Sequence, residues 1–349
     1  MKLFIVVGTR PNFIKVAPII KALEGSIDYR LIHTGQHYDY KMYNIFFKDL
    51  DIPTPSIDLD IGSGTHAGQT GQVMYEFERL LFFSKPDMVM VLGDVNSTLG
   101  ATLATVKLNI PIAHVEAGLR SYDKSMPEEI NRVLVDHCST LLFCPTENAV
   151  NNLTKEGISS GVYLTGDVMV DTLLTTDITK SDILSRLELD TGDYFLATIH
   201  RPVNTDNLDT LTTILSAFEE SNEPIIFPVH PRTKKLLGDF YSENVMLIDP
   251  LGYIDFLQLI ANAKKVLTDS GGVQKEAYLL GVPCITLRDT TEWVETLGWN
   301  ILVGADKAKI LDAIQHFSPT GERLNVFGNG SASNKICEAL DFYYSLCNT

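Results

Sequence analysis

Residues 268–276 read TDSGGVQKE, and the segments on either side decide what they are. Before them stands an apolar run, Lys265-Val266-Leu267. After them comes a helix-like stretch, Gln274 to Leu280, that stops at Gly281. A strand, a tight glycine turn and a helix N-terminus look like this in sequence. Ser270 is a good N-cap, and Gly271 and Gly272 let a ligand approach the backbone closely. The N–H groups of the first turn and the positive end of the helix dipole would then suit a diphosphate. Glu276, about one and a half turns into the helix, could take hydrogen bonds from sugar hydroxyls. A buried strand-to-helix turn with glycine for steric reasons would read the same way, so the rest of the chain has to arbitrate.

The same succession recurs outward from this stretch. In the second half, strand-like Tyr194 to Ile199 ends in His200-Arg201-Pro202, Pro224 to Val229 ends in His230-Pro231-Arg232, Val245 to Ile248 follows, and Pro283 to Leu287 ends in Arg288-Asp289. The first half repeats the pattern. Leu3 to Val7 leads through Gly8-Thr9-Arg10-Pro11 into a helix-like Asn12 to Leu23, and then come Tyr29 to Thr34, Met88 to Leu92, Ile112 to Val115 and Leu141 to Cys144. Unbroken apolar runs suit strands buried on both faces, and repeated β-then-α implies a parallel sheet. The expected fold class is α/β, with two Rossmann-like, doubly wound domains facing a cleft. Residues 1–170 are assigned to the first domain, joined by a C-terminal helix at 333–349, and 171–332 to the second, with the linker around Asp167 to Asp182.

Composition bounds the function. A chain of 349 residues exceeds one ordinary core, and 45% hydrophobic with 21% charged residues marks a packed globular protein. The formal charge of −16 argues against a nucleic-acid or anionic-membrane partner, and leaves room for a small anionic substrate where a few cations and helix ends gather. No segment approaches the roughly 18 apolar residues of a membrane span, and Met1-Lys2 runs straight into LFIVV, so neither a transmembrane helix nor a signal peptide is expected. Five cysteines without C-x-x-C spacing point away from disulfides and zinc and toward the reducing cytoplasm.

Ligands of parallel sheets gather at the carboxyl ends of strands. Arg10 and Lys15 follow the first strand and could reach one phosphate or sugar, although a solvated pair is the plainer reading of two surface cations. Asp94 and Glu116 end adjacent runs and would lie within reach of one cleft. Pro127 starts a helix with Glu128 and Glu129 in its first turn, where acids are favoured in any case. Carboxylates crowded in a closed cleft raise one another's pKa, which suits general acid–base work. His200 ends a strand of the second domain; His33, His37 and His230 have a lesser claim. No H-E-x-x-H, Walker lysine motif or G-x-S-x-G elbow occurs, and the missing first-strand G-x-G-x-x-G weighs against an NAD-dependent dehydrogenase.

Taken together these segments resemble the non-hydrolysing UDP-N-acetylglucosamine 2-epimerases. The matching pieces run from GTRPNFIKVAP at 8–18 through HTGQHYD at 33–39, GDVNST at 93–98, HVEAGLRS at 114–121, MPEEINR at 126–132, TGDVMVD at 165–171, HRPVN at 200–204 and PVHPRT at 228–233 to TDSGGVQKEA at 268–277 and LRDTTEW at 287–293. The resemblance implies a GT-B type fold with a UDP-sugar between the domains, no cofactor or metal, and a homodimer serving cell-surface polysaccharide synthesis. By motif it implies Arg10 and Lys15 near the nucleotide and phosphates, Ser270, Gly271 and Gly272 on the diphosphate, and Glu276 on the ribose. Asp94, Glu116 and Glu128 fall at the family's catalytic carboxylates, and His200 at a catalytically important histidine. Gln36, His37 and Gln69 match segments where bacterial members bind a second, activating UDP-GlcNAc. The implied chemistry is anti elimination of UDP to a 2-acetamidoglucal and re-addition, giving UDP-ManNAc from UDP-GlcNAc. Three positions depart from many members: Asn12 and Val203 replace Glu, and Trp293 replaces Arg. The TEWVE form, with MPEEINR and GDVNST, looks more like branches acting on modified sugars such as UDP-2,3-diacetamido uronic acids. A GT-B glycosyltransferase, a hydrolysing epimerase and a non-catalytic UDP-sugar binder are the competing readings.

Overall fold

A computed structural model of the protein describes residues 1–35, 40–229, 231–238 and 240–347. They form two compact units, one of Met1–Thr176 with Asn325–Thr349 and one of Asp177–Leu324. Among the described residues, the first unit carries strands β1 (Lys2–Val7), β2 (Asp28–His33), β3 (Ile57–Asp58), β4 (Met88–Leu92), β5 (Ile112–Val115), β6 (Leu141–Cys144) and β7 (Val162–Leu164). They lie in the order β3-β2-β1-β4-β5-β6-β7, every pair parallel. The second unit carries β8 (Phe195–Thr198), β9 (Ile225–Pro228), β10 (Val245–Ile248), β11 (Lys265–Thr268), β12 (Cys284–Thr286) and β13 (Asn300–Leu302), parallel in the order β10-β9-β8-β11-β12-β13. Both are doubly wound α/β sheets of the Rossmann type, as expected. In each, the strand order reverses beside the first strand, between β1 and β4 and between β8 and β11. Those two switch points are where such sheets bind ligands.

Central strands are legible because both faces are covered. Phe4, Val6, Val89 and Val91 pack against Val73, Phe77 and Leu81 of the helix His66–Phe83, and Phe195, Ala197 and Leu267 pack with Leu211, Ile214 and Phe218 of the helix Leu208–Glu220. Three strands were not expected: β3, β7 and β13. Each is an outermost strand of two or three residues with mostly half-exposed side chains, so any apolar run it carries is too short to stand out as a strand.

The helix Arg10–Leu23 contains Pro18, which cannot donate to the carbonyl of Ile14 one turn earlier. Thr172 Oγ1 donates to that carbonyl at 2.7 Å instead. Thr172 lies in the helix Val168–Thr175, which the expected division at 170/171 would have cut; the bond ties the whole helix to the first unit. One residue earlier, Asp171 accepts from the Ala332 and Ser333 N–H groups at 3.2 and 2.7 Å and from Ser333 Oγ at 2.5 Å, which anchors the first turn of the C-terminal helix Ala332–Cys347. The five cysteines are free, and burial pushes the thiols of Cys144 and Cys284 up to about 12. Among the described residues no helix is long and apolar enough to cross a membrane.

Candidate functional site

At the switch point of the first unit, β1 runs into a loop held by Asn12. Its Oδ1 accepts from the N–H groups of Gly8 (3.1 Å) and Thr9 (3.2 Å) and from Thr9 Oγ1 (3.2 Å), while its Nδ2 donates to the Leu92 carbonyl at the end of β4 (3.0 Å). One turn on, Lys15 Nζ meets Glu116 Oε1 at 2.6 Å, with both side chains over nine-tenths buried. Glu116 follows β5 with φ +73°, a conformation costly for a residue with a side chain and of the kind found at functional sites. Gly93 has φ +63°, and a Cβ there would stand 3.0 Å from Lys15 Nζ. The Gly93–Asp94 turn therefore lies directly against the Lys15–Glu116 pair. Arg10 lays its guanidinium over the Phe46 ring, 4.4 Å from the centroid.

The helix Pro127–Cys138 divides its two leading acids between different tasks. Glu129 is buried and accepts from the Ser121 and Tyr122 N–H groups at 2.9 Å each and from Arg132 at 2.6 Å. Arg132 also ion-pairs with the Asp94 carboxylate, and Asn131 Nδ2 donates to the Asp94 carbonyl at 2.8 Å. Glu128 is half-buried and makes no hydrogen bond or ion pair among the described residues. Behind this shell His114 is fully buried, with Nδ1 2.7 Å from Asp136 and Nε2 2.9 Å from the Gly93 carbonyl. Asp136 also accepts from Arg120 at 2.7 Å and from the Gly118 N–H at 3.1 Å, so one buried network grips both the Gly93 and the Gly118 turns. Burial pushes the Asp136 carboxyl up, but the bonds and charges of His114 and Arg120 outweigh it and hold it below its ordinary value.

Gln69 belongs to the same shell. It is buried, donates to the Gly62 carbonyl at 2.8 Å and accepts from Asn96 at 2.9 Å, and Asn96 opens the helix that follows the Asp94 turn. Gln36, His37 and His230 lie outside the described residues, and His33 pairs with Asp58 at 2.9 Å.

The second unit builds its switch point around Asp269, which follows β11 and has no exposed surface. Its carboxylate accepts from the N–H groups of His200 (3.1 Å) and Arg201 (3.0 Å) and from Asn204 Nδ2 (3.0 Å), and lies 3.0 Å from His200 Nδ1. Burial acts to raise this carboxyl, yet the charge and bond of His200 and the other donors keep it below its ordinary value. Ser270 caps the helix Gly271–Leu280 by accepting from the Val273 N–H, and Gly281 ends it in the left-handed conformation. A Cβ on Gly271 would fall 2.2 Å from Glu292 Oε1 and 3.2 Å from Trp293 Nε1, so any larger residue would have to displace the Glu292 carboxylate. Glu292 is bonded to Arg288 at 2.7 Å, and the buried Trp293 ring covers Lys275 Nζ at 3.9 Å from its centroid. Glu276 is buried on the same helix.

The expected residues thus gather at two places, Arg10, Lys15, Asp94, Glu116 and Glu128 at one switch point and His200, Ser270, Gly271, Gly272 and Glu276 at the other. Sequence reasoning noted Asn12 only as a departure and Glu129 only as a first-turn acid, and gave no role to Asn131, Arg132, His114, Asp136, Asn204 or Asp269. Only the i, i+3 spacing of Glu129 and Arg132 offered a local signal. Among the described residues no three His, Cys, Asp or Glu side chains converge as a metal site would require.

A family profile described as UDP-N-acetylglucosamine 2-epimerase matches residues 21–341. A protein of Methanococcus maripaludis named UDP-N-acetylglucosamine 2-epimerase homolog is 54% identical over 354 residues, spanning 97% of this chain and 99% of the relative. The UDP-2,3-diacetamido-2,3-dideoxy-D-glucuronate 2-epimerase of Pseudomonas aeruginosa is 43% identical over 356 residues, spanning 97% and 99%. The crystal structure of Methanocaldococcus jannaschii UDP-GlcNAc 2-epimerase in complex with UDP-GlcNAc and UDP superposes with a TM-score of 0.93 at 47% identity, covering 98% of this chain and 100% of that one.

Proposed function

The chain belongs to the UDP-N-acetylglucosamine 2-epimerase family, and from that premise we propose that it inverts C2 of a UDP-linked 2-acetamido sugar without hydrolysis, interconverting UDP-GlcNAc and UDP-ManNAc. A carboxylate takes the C2 proton, the C1–O bond to the diphosphate breaks anti to it, and the C1=C2 bond of a 2-acetamidoglucal forms. A proton then reaches C2 on the opposite face and the same UDP re-adds at C1, so nothing is oxidised, reduced or consumed.

One observation carries the reading. Of the three candidate carboxylates, two are each locked to a cation, Asp94 to Arg132 and Glu116 to Lys15, while Glu128 is left unpaired among the described residues. Carboxylates are the groups that taking and returning the C2 proton requires, and here two are fixed in place by cations while one stays open to the substrate. The capped N-terminus of Gly271–Leu280 suits the departing diphosphate, with His200 beside it and its Nδ1 turned to Asp269. Arg10 is assigned to the nucleotide, Glu276 to the ribose. A second reading has one specific support, the diacetamido-glucuronate 2-epimerase of Pseudomonas aeruginosa at 43% identity: the same chemistry on a sugar substituted at C3 and C6.

Proton NMR in D₂O tests both. With UDP-GlcNAc, the reading expects UDP-ManNAc deuterated at C2 with UDP still esterified, and no turnover in Glu128→Gln. Accumulation of free UDP and ManNAc would make the enzyme hydrolysing. Turnover of UDP-2,3-diacetamido-glucuronate with UDP-GlcNAc inert would select the second substrate.

A further inference from the structure

We propose that Asp269 is a positioning residue that holds the His200 ring in one orientation with Nδ1 protonated, leaving Nε2 as the single ring atom that exchanges a proton at the site. The proposal rests on the role given to His200 above.

Among the described residues the Asp269 side chain acts on one segment alone. It accepts from the His200 and Arg201 N–H groups and the Asn204 amide and lies 3.0 Å from His200 Nδ1, all within residues 200–204. The helix turn that would hold the diphosphate has a cap of its own, since Ser270 Oγ takes the Val273 N–H. Carboxylate and cap therefore serve separable ends.

An ionised carboxylate has only lone pairs, so a ring nitrogen that turns a 3.0 Å approach to it into a hydrogen bond does so as the donor. The imidazole is otherwise about half exposed at 55%, so without Asp269 little would fix its tautomer or its rotation. Burying a carboxylate completely is costly unless it is well paired, and an amide could hold the backbone N–H groups through its oxygen alone. What the charge adds is the obligatory Nδ1–H. This is the logic by which a buried acid orients a histidine in hydrolase triads, here placed at the switch point of a nucleotide-binding sheet.

Three measurements on the full chain decide it. ¹⁵N NMR of histidine-labelled wild type, in buffer alkaline enough for neutral imidazole, should give the Nδ1–H tautomer at His200; a dominant Nε2–H tautomer would overturn the proposal without any variant. Asp269→Asn should lower kcat on UDP-GlcNAc by about 10²-fold or more while KM and UDP affinity stay within about threefold, with the Nδ1–H signature lost. In a His200→Asn background the same change should lower kcat no further. Equal losses in both backgrounds would mean that Asp269 only maintains the fold, and would overturn the proposal. Full kcat in His200→Asn would overturn the reading of His200 itself, and the proposal with it. Loss in His200→Asn beside wild-type kcat in Asp269→Asn would overturn the proposal alone.

Discussion

The amide of Asn12 accepts three hydrogen bonds and donates one, joining the loop after β1 to the end of β4. A carboxylate there could accept bonds from the loop but could not donate to the Leu92 carbonyl. Asn12→Asp keeps the shape and replaces that donor by a carboxylate oxygen facing a carbonyl oxygen. The expected result is a loss of about 2 kcal/mol or more for the first unit, read from its urea midpoint, and a change under about 0.5 kcal/mol would refute this account. Asn12 was legible in the sequence only as a departure, because Leu92, whose carbonyl its Nδ2 reaches, lies 80 residues further along the chain. Trp293 behaves similarly: its indole is turned onto Lys275 and the Gly271 turn, an inward use that no neighbour in sequence announces.

At the scale of elements, helix ends and strand edges decide what could be read. The Ser270 cap, the glycine turn and the Gly281 stop are local chemistry, and the helix Gly271–Leu280 follows from them. The C-terminal helix is different, since Asp171, more than 150 residues upstream in the chain, supplies the acceptor for its first N–H groups. Asp171→Ala should destabilise the first unit by about 1 kcal/mol, as the loss of a helix cap does, and leave the second unchanged. Thermal unfolding followed unit by unit checks this, and equal shifts in both units would contradict it. The short outer strands β3, β7 and β13 escaped the sequence for a physical reason: half-exposed at a sheet edge, they need only two or three residues, too few to show a pattern.

Across the whole molecule, each of the two units holds one buried carboxylate depressed below its ordinary value, Asp136 in the first and Asp269 in the second. A native pKa below the unfolded value of about 3.9 means that the unfolded chain binds more protons in that range. The stability each contributes is complete above that value and is lost as pH falls through the native one. Urea midpoints should therefore fall between about pH 5 and pH 3, and Asp136→Asn should flatten that dependence in the first unit only. A wild-type profile flat over this range would contradict the assignment. By itself the sequence determined the α/β class, the central strands, the glycine turn and the family, because buried runs, caps and ordered motifs are local and repeat along the chain. It also named the candidate carboxylates and His200, each at the end of a readable strand or the start of a readable helix. Only the tertiary structure decided their partners: Lys15 with Glu116, Arg132 with Asp94, and Asp269 with His200. Those pairs form where parallel strands distant in sequence end side by side, and a hydrogen bond depends on that meeting in space, which residue order alone does not encode locally.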